Sequence, residues 1–290
     1  MMKVVIRKII KQFTTSRQRV FFKKAKRNVY KLFCRNKKKT TLLQLRHIFI
    51  DEFKLKKGDS IIVSSSFGNL NAGYTPREVI ELLQSIVTET GVIMMPYYPP
   101  MNSDEWAKGG HVFDMRETKS GMGILTNIFS EMPDVYKSKH PTKAVCVWGK
   151  DAQKIVEGHE KAQTPFYWDS PYGKLLKMGS KSLGLGLSNI PIIHTIEDVL
   201  SEDKAEYYES KKYSLKVKNL EGEIETVDTY IHNASLLSQC MSGSDYASLW
   251  GNGISKKIEF GYRFNYAVDN SELFEVAKVQ FQKGNTRLRK

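Results

Sequence analysis

Within forty residues this chain writes strand, helix, strand, and that order restricts its fold more than anything else in it. Ser60 to Val63 is a short β-branched run of the kind that is buried in a sheet. Thr75 stands where a helix cap belongs and Pro76 in the first turn, and Val79, Ile80, Leu82, Leu83 and Ile86 line one side of the helix that follows. Gly91 opens a second apolar run, Val92 to Met95, which Pro96 ends. Such a unit predicts an α/β fold whose mixed sheet is flanked by helices.

The rest of the chain extends the pattern. Thr41 to Phe53 predicts an amphipathic helix, with Leu42, Leu45, Ile48 and Phe53 near helical spacing and Thr40 or Thr41 as its cap. Lys56 to Asp59 reads as a turn. Pro96 to Ser120 is polar, aromatic and aperiodic, longer than most connections and suited to a binding loop. Helices are expected over 121–132 and 150–158, strands over 144–148 and 181–187, and a long helix, acidic on one side, from Ile190 to about Glu209. Tyr213 to Val217 and Ile224 to Tyr230, joined through Asn219 and Gly222, predict a hairpin and hence a small antiparallel β lobe beside the core.

The 290 residues carry a net charge of +14, which invites a nucleic-acid partner until its distribution is read. Residues 1 to 40 hold 15 Lys and Arg and no acid, leaving 30 basic and 31 acidic side chains in the other 250 residues. The division expected is thus a basic amphipathic arm, 1–40, and a nearly neutral α/β domain, 41–290. The arm alternates basic residues with Val4, Ile9, Phe13, Phe21, Phe22, Tyr30 and Phe33. It suits either a helix lying on an anionic membrane surface, each cation worth about 1 kcal/mol there, or a solvated basic tail. No recognised nucleic-acid motif accompanies the charge. No apolar stretch approaches the roughly 20 residues of a membrane span, and no secretory signal is convincing. Cys34, Cys146 and Cys240 are odd in number and far apart, which argues against a disulfide framework or a cysteine metal site and for a reducing cytoplasm.

Several short motifs carry chemistry. Ser64-Ser65-Ser66 closes the first strand, where an α/β sheet places its ligand crevice. Its hydroxyls and N–H groups suit pantetheine or phosphate oxygens, or a turn that satisfies its own backbone. Thr118 to Gly123 lacks the Gly-Lys-Ser/Thr ending of a phosphate loop. Lys137-Ser138-Lys139-His140-Pro141 gathers two ammonium groups and an imidazole just before a strand, as a phosphorylated coenzyme or an exposed basic turn would have it. His194 and Glu197 fall on one side of a helix; a carboxylate on one imidazole nitrogen would fix the tautomer of a general base, although two solvated neighbours give the same spacing. A zinc site would need further ligands at suggestive spacing.

Taken in order, these residues resemble the aminoglycoside 3-N-acetyltransferase family from about Thr41 to at least His232. The matching features are Gly58-Asp59 before Val63-x-Ser-Ser-Phe67, Gly91 before Met94-Met95-Pro96, Phe113-Asp114 with Thr118 and Gly123, Ser138-x-His140-Pro141, Gly149, Ser170-Pro171 and His194-x-x-Glu197. The resemblance implies acetyl-CoA as co-substrate and direct transfer of acetyl to an amine without a covalent enzyme intermediate. It also implies that Ser64, Ser65, Ser66, Lys137, Ser138 and His140 hold the coenzyme and that His194 is the general base. Family members usually carry His at the position of Ser64 and Arg at that of Lys137. The acidic partner of His194 is left open among Glu197, Glu225 and Asp228. The acceptor expected is an amino sugar, in surface polysaccharide biosynthesis; an aminoglycoside, or a non-catalytic scaffold of the same fold, is the alternative. The partners expected are that small-molecule amine, an anionic membrane surface for residues 1 to 40 at the inner face of the membrane, and a second copy in a homodimer, but not nucleic acid. The acidic run Glu197, Asp198, Glu202, Asp203, Glu206 suits a cationic amine or, more plainly, an exposed helix face.

Overall fold

The computed structural model describes residues 37–187, 190–201, 207–233 and 255–286, and the chain divides into two units, Met1–Lys39 and Thr40–Lys290. Most of the basic arm lies outside the described residues, as do Cys34, Cys240, Glu202, Asp203 and Glu206. No helix among the described residues is long and apolar enough to cross a membrane.

The expected strand–helix–strand unit is present. β1 (Ser60–Ser65) leads through α2 (Pro76–Val87) to β2 (Val92–Pro96), and the two strands pair in parallel with Ser60 opposite Val92 and Ile62 opposite Met94. Thr75 and Glu78 exchange the reciprocal bonds of a capping box, and Pro76 occupies the first turn. Upstream, α1 (Leu42–His47) is capped by Thr41 and Gln44 in the same way, then widens into a π-turn over Ile48–Glu52.

Beyond β2 the sheet takes β4 (Tyr136–Lys137) and β5 (Val145–Gly149), both antiparallel to their neighbours. On the other flank β6 (Ser180–Leu185) runs parallel to β1, and β9 (Ser255–Phe260) and β10 (Arg263–Asp269) follow antiparallel. The order is β4-β5-β2-β1-β6-β10-β9. A second sheet, β3-β7-β8, joins the hairpin of β7 (Tyr208–Lys218) and β8 (Ile224–His232) to β3 (Val112–Asp114). Because β3 pairs with β7 in parallel, the lobe is mixed rather than wholly antiparallel. The long segment after Pro96 therefore contributes structure of its own, β3 and the short helix α3 (Ser103–Lys108).

Alternation along the central strands builds two cores. Ile61, Val63, Ile93, Met95, Leu183 and Leu185 pack towards α1, α2 and α4 (Ile124–Phe129), with Val217 and Val227 of the small sheet. Ile62, Val92, Met94 and Val147 face α5 (Ala152–Val156), α6 (Pro171–Lys177), α7 (Ile192–Leu200) and α8 (Asn270–Gln282). A strand covered on both faces reads as a continuous apolar run, and this is why Ser60 to Val63 shows no polar alternation.

The long acidic helix expected after Ile190 is cut short. α7 ends at Leu200, Ser201 is extended, and Tyr208 has entered β7 opposite His232. Pairing along the hairpin overrides the local helical pattern. Register is tight where β6 meets β10: a Cβ on Gly184 would lie 1.8 Å from the Tyr266 ring. Gly184→Ala should therefore destabilise the protein by about 1–3 kcal/mol in urea unfolding, and Tyr266→Leu in the same chain should recover part of the loss.

Candidate active site

β1 leads to α2 on one face of the sheet and β6 to α7 on the other, the switch at which an α/β sheet places its ligand crevice, outside the carboxyl ends of β1 and β6. Ser64 and Ser65 end β1 beside Gly184 and Leu185, and Ser66 N–H donates to the Leu185 carbonyl at 2.8 Å. Asn69 clasps the two ends, donating from Nδ2 to Ser66 Oγ at 3.0 Å and to the Gly186 carbonyl at 2.8 Å. Gly186, at φ +70, has no room for a Cβ between Asn69 and the Ser66 carbonyl. The serines are half-buried, and by strand alternation Ser64 shares the face of Ile62, towards α6 and α7, whereas Ser65 faces the other core.

α7 supplies the catalytic candidates. His194 Nδ1 lies 3.3 Å from Glu197 Oε2, with Glu197 1% exposed and the His194 side chain 23%. The imidazole packs among rings: Phe166 lies 5.1 Å away at 30°, His232 lies 4.8 Å away and tilted at 38°, and Tyr208 in turn stacks on His232 at 4.5 Å and 14°. Of the carboxylates left open by the sequence, Glu197 is the one brought to His194. Asp228 is not: its exposed carboxylate accepts from Ser214 Oγ at 2.6 Å, four residues along β8 from His232, roughly 13 Å by strand rise. Glu225 is engaged by Lys139 at 2.5 Å and by Asn219. Glu225 and Asp228 instead line a polar groove of about 470 Å³ together with Lys139, Lys161 and Lys212.

The acidic side of α7 is not an exposed face. Asp198 is 1% exposed and accepts from Tyr208 Oη at 2.6 Å and from Thr164 Oγ1. Burial and the adjacent Asp198 charge hold the Tyr208 phenol far above its ordinary pKa, so it stays a donor.

Ser138 and His140 are 1% and 2% exposed, and their polar atoms are engaged within the protein. His140 Nδ1 accepts from the backbone N–H groups of Lys143 (3.0 Å) and Thr142 (3.3 Å), so Nε2 carries the proton and meets Thr229 Oγ1 at 3.1 Å. Ser138 Oγ accepts from Val145 N–H at 2.9 Å. His159, which sequence reasoning did not single out, donates from Nε2 to the Pro165 carbonyl at 3.0 Å, leaving Nδ1 to accept from Ser138 Oγ at 2.9 Å. The two imidazoles lie 4.6 Å apart. Ser138 and His140 thus brace the fold, tying β5 and β8 to the segment that carries Phe166.

Lys137 donates to the Met115 carbonyl at 2.6 Å and sits 4.2 Å over the Tyr97 ring, its amine pulled below the usual lysine range by burial. Tyr97 belongs to the α2–α4 core, so Lys137 lies on the opposite face of the sheet from α7. Ser170 is the cap of α6, accepting from Gly173 N–H at 3.2 Å ahead of Pro171. His232 and Phe166 are the functional candidates that sequence reasoning missed; neither belongs to a motif, and they reach His194 only through the fold.

Burial lowers His140 well below the ordinary imidazole range and His159 to about 4, from 6.5. A histidine buried neutral stabilises the fold above its unfolded pKa, and that contribution is lost as pH falls towards the folded value. Stability should therefore decline from about pH 6.5 to about pH 4, and urea midpoints measured across that window should decline less steeply in His159→Gln.

Residues 62–282 match the family model of aminoglycoside 3-N-acetyltransferases. The chain is 29% identical over 170 residues to the SPbeta prophage-derived aminoglycoside N(3')-acetyltransferase-like protein YokD of Bacillus subtilis, a stretch spanning 51% of this chain and 61% of that relative. The solved structure of aminoglycoside acetyltransferase AAC(3)-Xa superposes with a TM-score of 0.72 at 17% identity, covering 91% of this chain and 99% of its own. That of AAC-IIIb with CoASH gives 0.68 at 17% identity, covering 85% and 98%. With a match that runs from β1 to the last turn of α8, this chain belongs to the aminoglycoside 3-N-acetyltransferase family.

Proposed function

We propose that the chain transfers acetyl from acetyl-CoA to the amine of an amino sugar. The observation that carries this reading is the His194–Glu197 pair in α7, the helix that follows β6 in the chain. With Nδ1 turned to a buried carboxylate, Nε2 is the nitrogen that takes the ammonium proton, and Glu197 stabilises the imidazolium that results. With that first proton passed on to water, the freed amine attacks the thioester carbonyl; the new C–N bond forms, His194 takes the second proton from the nitrogen, and as the C–S bond breaks that proton goes to the thiolate, which leaves as CoASH. The rings of Phe166 and His232, packed against the imidazole and against each other, limit its rotation during the transfers. Ser64, Ser65 and Ser66, at the carboxyl end of β1, are the groups proposed to meet the pantetheine arm.

The family and the relatives speak for an acceptor built of amino sugars, and an aminoglycoside meets that description as well as a polysaccharide precursor does. The basic residues 1 to 40 favour the precursor, because such intermediates are assembled at the cytoplasmic face of the membrane, where the arm would meet anionic lipid. On this reading the protein works at that surface, with the domain after Thr40 as its catalytic body.

His194→Ala should lower kcat by about 10²- to 10⁴-fold while the urea midpoint stays near wild type. Glu197→Gln should also lower kcat, leaving the KM for acetyl-CoA little changed. Thiol release measured over a panel of amino sugars and aminoglycosides should favour the former; a strong, selective gain of aminoglycoside resistance on expression would reverse the choice of acceptor. No binding of acetyl-CoA at millimolar concentration would leave a non-catalytic scaffold.

A further inference from the structure

Lys143 stands just before β5, on the face of the sheet that carries α6 and α7. Its ammonium lies 4.5 Å over the ring of Tyr98, and Tyr98 Oη shares a hydrogen bond of 2.7 Å with Tyr172. Tyr172 packs on Phe166 at 5.0 Å, and Phe166 on His194 at 5.1 Å. A continuous wall of three aromatic rings therefore joins this amine to the proposed base, on the same face as Ser64. Lys137, the cation that the sequence pattern brought forward, is on the other face and is engaged by the Met115 carbonyl.

What distinguishes Lys143 is its lack of a counter-charge. Among the described residues its ammonium has neither an ion pair nor a hydrogen-bond partner, although the side chain is half-buried. Other withdrawn cations of the protein are spoken for: Lys139 by Glu225, Lys181 by Asp59, Lys174 by the carbonyls of Lys154, Ile155 and Glu157. Withdrawing an ammonium from water without a paired anion is costly, and the cost falls when an anionic ligand completes the pair. Burial already pulls this amine down to about 8, in keeping with that missing partner.

We infer that Lys143 is an anion-binding residue of the crevice, holding a phosphoryl oxygen of a substrate against the Tyr98 wall. This rests on the acetyltransferase reading for the identity of the substrates. Two sources present the same chemistry: the phosphates of the coenzyme, and a phosphate on the amino sugar. A lysine binds either as a point charge. A purely polycationic acceptor gains nothing from it.

The test is calorimetric titration of the full chain, wild type, Lys143→Met and Lys143→Arg, with four probes: CoA, pantetheine, glucosamine 6-phosphate and glucosamine. Wild type should bind the phosphorylated member of one pair at least about ten-fold more tightly than its phosphate-free counterpart. Lys143→Met should lose that difference, and Lys143→Arg should keep most of it. Loss confined to CoA assigns the coenzyme phosphates; loss confined to glucosamine 6-phosphate assigns the acceptor. Equal binding within both pairs by wild type, or a Lys143→Met chain that binds all four probes as wild type does, overturns the inference. Because binding is read without turnover, a chain that holds CoA through Lys143 yet releases no thiol would refute the transferase reading alone.

Discussion

Everything at the site depends on β1 being paired in parallel on both sides. A parallel neighbour places carboxyl end beside carboxyl end, and the helices that follow β1 and β6 lie on opposite faces of the sheet, the condition under which an α/β sheet forms its ligand crevice. Ser64 to Ser66, Tyr97 and Tyr98, and Gly186 are there because three strands end at one edge. The Asn69 clasp and the missing Cβ of Gly186 keep the two central ends in contact. β1 also has to be apolar on both faces, so the residues that fix the site are themselves core.

The base and its partner show how burial changes the meaning of a spacing. On a solvated helix, His and Glu three apart are worth a few tenths of a kcal/mol. Here α7 is covered by the hairpin and by the segment from His159 to Phe166, and Glu197 is 1% exposed. A carboxylate so placed has little water to share its charge with, and its interaction with an imidazole is correspondingly stronger. The same burial turns Asp198 into an anchor for Tyr208 and Thr164. A long sheet-edge hairpin thus completes a helix-borne pair.

The two faces of the sheet divide labour that the linear pattern had merged. Lys137, Ser138 and His140 sit within four residues of one another and suggested one cluster. The fold sends Lys137 to the Tyr97 side, buries Ser138 against His159, and points His140 at Thr229. Alternation of side chains along an extended segment is the reason: neighbours in sequence become residents of opposite cores. Lys143, three positions beyond His140, ends on the side where α7 lies.

By itself the sequence determined the α/β class, the β1–α2–β2 unit, the cap at Thr75, and the placing of His194 and Glu197 on one side of a helix, because each rests on spacing within one element or between adjacent ones. It misread the acidic stretch after Ile190, since local helical pattern carries no record of the strand pairing that claims Tyr208. It offered three carboxylates for one imidazole, and only the fold chose among them. His232, Phe166 and His159 were invisible for the same reason: their roles come from contacts tens of residues away, and no short motif encodes rings gathered from a loop, a helix and a strand. Local propensity is written residue by residue, whereas the neighbourhood of His194 exists only once strands from four parts of the chain have been paired.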